Sequence, residues 1–183
     1  MRLLRSWPAK IPDDRLRAHV VDAIPRLVID NHHYGPLADV GDDVLLLEWD
    51  MAVGQDDLRR FAHEARKQAD RALVAPYRIY ADAYGLPHDI WAHRRWDGTG
   101  AGTINPEGAV PISTGDPYCQ LFGLGMVYLP WWIVRAFALG RFAAHWNDTN
   151  FSMWHYQHIQ PDVRVCWPVR PVHLNYRSLD LEV

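Results

Sequence analysis

A chain of 183 residues, 49% of them hydrophobic, has enough apolar surface for one domain with a real core and too little for two. Its 19 basic and 22 acidic residues leave a formal charge of -3, which excludes the general basic field that holds nucleic acid or an anionic membrane. The two cysteines, Cys119 and Cys166, exclude a stapling disulfide framework and any paired-cysteine metal spacing, so a reducing, cytoplasmic setting is expected.

Met1 to Pro8 carries Arg2 and Arg5 with no apolar stretch behind them, and is not expected to act as a secretory signal. Asp13-Asp14 followed by Leu16, Val20 and Ile24 predicts a short helix ending before Pro25. Leu27 to Asp30 reads as a brief strand, and His32 to Pro36 as a loop. Val44-Leu45-Leu46-Leu47 is apolar without alternation, the pattern of a strand buried on both faces, and it ends in Glu48-Trp49-Asp50. Behind it, Asp56-Asp57 caps a helix with Leu58, Phe61, Ala62, Ala65 and Ala69 on one face.

Val74 to Tyr80 predicts a third strand, with Pro76 marking a start or an edge. Residues 97–116 are rich in Gly, Pro, Thr and Asn and predict a long loop of functional type. Leu121 to Phe142 is apolar, but Pro130, Arg135 and three glycines make it a buried turn and helix rather than a membrane span. Asn147 to Asn150 resembles a capped helix start, Val163 to Trp167 alternates as a strand, and Pro171 to Tyr176 closes the ordered chain.

Chemistry is expected first at the end of the buried strand. Side chains alternate with period two, so Glu48 and Asp50 share one side of the pleat and converge on one point. Two carboxylates there suit Mg²⁺ or Mn²⁺, with open positions for phosphate oxygens. Their plainer reading is a cap or an arginine partner. Arg94 and Arg95, beside Trp91, are candidates for a phosphate or acceptor contact, against the plainer reading of a salt-bridged surface turn. Trp91, Trp96, Trp131 and Trp154 can stack on a sugar or base, although core or lid packing is the first expectation for each. His155 and His158 are spaced to share a helix face, without a third ligand in view.

The ordered set of a Val-Ile-Asp strand end, a Leu-Leu-Glu-Trp-Asp strand end, a Gly-Leu-Gly-Met segment, an Asn-Asp near a helix start and a late His resembles the glycosyltransferase A fold. It spans Leu27 to Tyr176. The resemblance implies an α/β fold, a single-domain catalytic unit over residues 1–183 built on a mixed, mostly parallel sheet flanked by helices, compact and Rossmann-like. It implies that Glu48 and Asp50 stand at the metal-holding Asp-x-Asp motif, Glu48 in place of the first Asp, with Asp50 ahead as direct ligand. His173 matches the late metal histidine and Asp30 the contact to the nucleoside; Asp148 matches the base that deprotonates the acceptor, with Asp116 as second candidate. Arg2-Leu3-Leu4-Arg5 would be the first nucleotide-binding strand.

The implied activity is transfer of a sugar from a nucleotide-sugar donor to a hydroxyl acceptor, Mn²⁺- or Mg²⁺-dependent and inverting. Metal and arginine would stabilise charge on the leaving diphosphate, and a carboxylate would take the acceptor proton. The slight acidity favours a protein, glycan or small-molecule acceptor over DNA, with a modified DNA base as the remaining class. Two other readings stay open: a metal-dependent hydrolase or phosphotransferase using Glu48, Asp50, Asp148 and His173, and a non-catalytic, aromatic-rich carbohydrate-binding or assembly module.

Overall fold

The apolar run Val44 to Leu47 is at most 3% exposed at each residue, because it lies in the middle of a seven-stranded sheet with side chains entering a core on either face. In a computed structural model of the chain, which describes residues 2–7, 28–30, 41–48, 51–68, 70–79, 90–96, 108–139 and 148–173, this run is β3 (Val44–Glu48). Before it come β1 (Arg2–Trp7) and β2 (Val28–Asp30). After it come β4 (Met51–Ala52), α1 (Gln55–Lys67), β5 (Leu73–Val74), β6 (Arg78–Ile79), β7 (Ile90–Trp91) and β8 (Arg94–Trp96). The chain continues through β9 (Ala109–Pro111), β10 (Tyr118–Cys119), β11 (Met126–Leu129), α2 (Trp131–Leu139), α3 (Asp148–His158), β12 (Val163–Val165) and β13 (Val172–His173).

The sheet order is β10-β12-β5-β11-β3-β1-β2, and three two-stranded ribbons, β13-β4, β6-β7 and β8-β9, complete the described pairing. Successive residues of the central strands go to opposite faces, as a pleat requires. Val44, Leu46, Val74, Val127 and Leu129 join Ile133, Phe137, Phe151 and Trp154 of α2 and α3 in one core. Leu45, Leu47, Leu73, Met126 and Tyr128 join Phe61 and Ala65 of α1 in the other. Each such aliphatic side chain contributes about 1.5–3 kcal/mol by leaving water, so the three-layer arrangement follows from a sheet with two apolar faces.

The expectation of an α/β domain with a mixed sheet holds, but the sheet is not mostly parallel. Three ladders are parallel, β1 with β2, β1 with β3 and β5 with β12. Three in the large sheet are antiparallel, and so are the three ribbons. The difference arises because β11 turns back between β3 and β5; a continuous apolar run records burial on both faces and carries no information on direction.

Several local expectations are also corrected. Val74 to Tyr80 is not one strand: Pro76 separates β5, a central strand, from β6 in a ribbon with β7, since proline cannot donate to a ladder. The segment from Leu121 contains β11 as well as the predicted turn and helix. Within the predicted loop 97–116, β9 pairs with β8, and residues 97–107 lie outside the described residues. Helix α1 is capped by Gly54 with no side-chain bond, while Asp56 and Asp57 occupy the first turn and Arg66 and Lys67 the last; those charges act on the helix dipole rather than as caps. The predicted helix after Asp13 and the loop with His32 and His33 also lie outside the described residues. Among the described residues no helix is long and apolar enough to cross a membrane.

Asp43 ties the start of β3 to the helical layer. One carboxylate oxygen accepts from the Tyr128 hydroxyl at 2.9 Å and the other from the backbone N–H of Trp131 at 3.0 Å. The second bond satisfies an N-terminal donor of α2, which has no acidic residue in its own first turn.

Candidate functional site

In an open sheet with parallel strands, ligands bind at the carboxyl ends of the strands, where successive connections depart in opposite directions. Here β1 lies between β2 and β3 and is parallel to both. From β1 the chain goes out to β2 at the sheet edge; from β3 it goes the other way, through α1 to β5. The switch point therefore lies between β1 and β3, and Glu48 ends β3 beside it. The register makes the end precise: Ser6 is level with Glu48 and Trp7 with Asp30. Asp30 and Glu48 thus end parallel strands two apart in the sheet, about 10 Å between strand axes.

The chain returns to this end through the ribbon of β4 and β13, in which His173 is the Cα partner of Met51 and Val172 of Ala52. His173 is therefore brought opposite the residue that follows the acidic motif. Glu48 is half-buried and its N–H donates to the Gly125 carbonyl at 2.9 Å. Asp50 lies outside the described residues. Glu48 and His173 carry oxygen and nitrogen donors of the kind Mn²⁺ accepts, but Glu48 follows Val44 and Leu46 onto the face of the first core while His173 stacks on Tyr77 of the second, and no group of three metal-binding side chains is found among the described residues.

Tyr77, which sequence reasoning placed only as a strand residue, organises this corner. Its ring stacks on His173 with centroids 5.8 Å apart and planes 7° apart, and meets the His93 ring edge-on at 5.2 Å. Its hydroxyl oxygen accepts from the Gly125 N–H at 3.4 Å. Gly125 has no room for a side chain: a Cβ would lie 2.5 Å from Tyr77 Cε1 and 3.0 Å from Met51 Sδ. The Gly-Leu-Gly-Met segment noted in the sequence thus contains the glycine that lets Tyr77 approach the backbone.

His93 is fully buried, with neither ring nitrogen hydrogen-bonded. Burial holds its pKa down to about 3, so it is a neutral aromatic edge against Tyr77. His155 behaves alike: it is buried against Phe122 and Phe151, its ring nitrogens lack partners, and burial lowers its pKa to about 4 against a weak opposing pull from the Gln160 backbone. His158 is exposed, so the two do not present a shared face for a metal.

The remaining candidates are dispersed. Asp116 is used locally: its carboxylate accepts from the Ser113 N–H at 2.8 Å, its own N–H donates to the Ser113 carbonyl, and Gly115 between them has φ of 95°. Its carbonyl accepts from the Trp167 indole. Arg94 and Arg95 are neighbours on β8 rather than on a turn, so their side chains leave on opposite faces and do not act together. Trp91 packs partly buried on the first core, with the Arg78 guanidinium 4.9 Å above its ring and Trp167 edge-on. Trp154 is core, Trp96 lies against Gly108, and Trp131 begins α2 under Arg135. Asp148 is the first residue of α3.

Fold and site together define a mixed α/β domain with an acid-tipped strand at a topological switch point. No family model matches the chain, and no curated protein matches it. Among solved structures it is similar to one described as "Crystal Structure of A197 from STIV", with a TM-score of 0.57, 14% identity, and coverage of 96% of this chain and 86% of that one. At that identity the likeness is one of fold.

Proposed function

We propose that this protein is a glycosyltransferase of the A-fold type that moves a sugar from a nucleotide-sugar donor to a hydroxyl acceptor with Mn²⁺ or Mg²⁺. The observation that carries the reading is the register that sets His173 opposite Met51, immediately beyond a Glu-x-Asp strand end at the switch point. This supports the sequence resemblance from an independent direction, because the backbone of His173 comes level with Met51 only through the fold. The parallel pairing of β1 with β3 supports it further, since β1 stands where the resemblance expects a first nucleotide-binding strand.

In this reading Glu48, Asp50 and His173 would hold the cation, which would supply charge neutralisation for the departing diphosphate. Asp30, at the same sheet end, contacts the nucleoside. Trp91, Arg94 and Arg95 belong to the donor contacts, one of the two arginines at most facing a given phosphate. Asp148 takes the proton from the acceptor hydroxyl as that oxygen attacks the sugar carbon, giving inversion. Asp116 is the weaker candidate for that role, since its carboxylate already closes a turn.

The test is a thermal-shift panel of nucleoside diphosphates and sugar nucleotides with and without Mn²⁺, run on the full chain and on Glu48→Gln and His173→Ala. A ligand at 100 times its Kd stabilises the folded state by about 2.7 kcal/mol. The expected result is a Mn²⁺-dependent shift with at least one nucleotide, diminished in both variants. Absence of any metal-dependent shift refutes the reading. Release of nucleoside diphosphate with a transferred sugar supports transfer; phosphate-ester hydrolysis without transfer replaces it with the hydrolase reading.

A further inference from the structure

We infer that a charged cavity at the amino ends of β5 and β12 binds a small zwitterion of the α-amino-acid class. Strands β3 and β5 both run against β11, and β12 runs with β5, so the three share a direction. The cavity therefore lies at the opposite end of the sheet from Glu48, and the inference is independent of the metal reading. Its volume of about 260 Å³ falls below the ~300–1,000 Å³ of pockets for drug-sized ligands, which suits a smaller molecule. It opens where the sheet emerges from under α1. Tyr118 is the cross-strand partner of Arg164, and Arg164 is level with Leu73, so the three side chains leave on one face. Leu73 packs with Phe61 and Ala65 of α1; Arg164 and Tyr118, nearer the sheet edge, are exposed.

Both signs of charge line the cavity, Arg71 and Arg164 with Asp70 and Asp162, yet they do not neutralise one another. Among the described residues the side chains of Arg71, Arg164 and Asp70 make no hydrogen bond or ion pair. Glu64 of α1 lies in the field of Arg164 but is bonded to Lys67 at 2.7 Å. The walls are fixed through the backbone instead. The Arg71 N–H donates to the Gln68 carbonyl at 2.7 Å just past α1, and the Gln160 N–H to the His155 carbonyl at 3.0 Å just past α3. The Gln160 side-chain amide donates to the Asp162 carbonyl at 2.8 Å, and one Asp162 carboxylate oxygen accepts from Gln120 at 3.4 Å, which leaves the other oxygen for a ligand. A simple anion here meets two carboxylates as well as two guanidiniums, and a simple cation meets the reverse. A molecule with a carboxylate close to an ammonium satisfies both signs, the carboxylate on a guanidinium fork and the ammonium on an aspartate.

The experiment titrates the metal-free full chain with glycine and the other common α-amino acids and reads affinity from backbone amide chemical shifts. Acetate and methylammonium serve as the separate halves of the zwitterion, and inorganic phosphate as a plain anion. The variants are Arg71→Ala, Arg164→Ala and Asp70→Asn, all at exposed positions where substitution leaves folding nearly unchanged. Arg135→Ala, on the exposed side of α2, is the control. The expected result is that at least one amino acid shifts amides around Arg71, Tyr118 and Arg164, with acetate and methylammonium binding at least about tenfold more weakly. Affinity for that amino acid should fall about tenfold in each of the three cavity variants and stay at the wild-type value in Arg135→Ala. The inference is overturned if no amino acid binds, if acetate or phosphate binds as tightly as the best amino acid, or if the three cavity variants keep wild-type affinity.

Discussion

Acid should destabilise this protein through two buried imidazoles. His93 and His155 are both fully shielded from solvent and lack hydrogen-bond partners at their ring nitrogens, and burial depresses their pKa values to about 3 and about 4. An unfolded histidine titrates near 6.5. Above that pH both states are neutral and neither histidine makes stability depend on pH. As the pH falls below it, the unfolded chain takes up protons that the folded chain refuses, and stability drops by about 1.4 kcal/mol per pH unit for each histidine. The loss levels off once the pH passes below the folded values. At pH 4.5, two units below the unfolded value, the pair together costs about 5 kcal/mol, comparable with the whole stability of a small domain.

Urea denaturation of wild type, His93→Leu, His155→Leu and the double variant at several pH values from 7.5 to 4.5 measures this directly. Leucine changes packing at every pH, so the diagnostic is the slope. Each substitution should remove about 1.4 kcal/mol per pH unit of acid sensitivity below pH 6.5, and the double variant should be the most acid-resistant. Parallel stability curves for wild type and the double variant would refute the argument and show that the imidazoles reach water or a proton acceptor.

Three further outcomes follow from the packing. Gly125→Ala drives a methyl into the Tyr77 ring and Met51 and should cost about 1–3 kcal/mol in urea denaturation; unchanged stability would mean that Tyr77 moves aside freely. Asp43→Ala removes acceptors from both the Tyr128 hydroxyl and the Trp131 N–H and should cost about 2–3 kcal/mol, against about 1 for Tyr128→Phe, which leaves the α2 cap in place. Cys119 and Cys166 are buried, and desolvation raises both thiol pKa values, that of Cys166 to about 11. In native protein at pH 8 both should therefore react with a thiol reagent only as fast as the fold opens, and rapid labelling would contradict their placement.

Elements whose burial is written locally were legible in the order of residues alone. Val44 to Leu47 is apolar at every position because both faces of β3 are covered, and it runs as predicted to Glu48. Phe61 and Ala65 recur at helical spacing because α1 has one buried face, and Val163 to Val165 alternates because only one face of β12 is covered. The acidic end of β3 was legible for the same reason, as the point where burial stops. What remained for the tertiary structure was direction and convergence. Nothing in Met126 to Leu129 states that it runs against β3, and nothing near Tyr77 states that Gly125, His93 and His173 will meet it. Periodicity records which side of an element leaves water; pairing direction and the meeting of distant side chains depend on how the connections turn and on contacts made only when the whole chain closes. Hence Glu48 could be picked out from its own strand, while the placement of β1 beside that strand at the switch point and of His173 across from Met51 exists only in the fold.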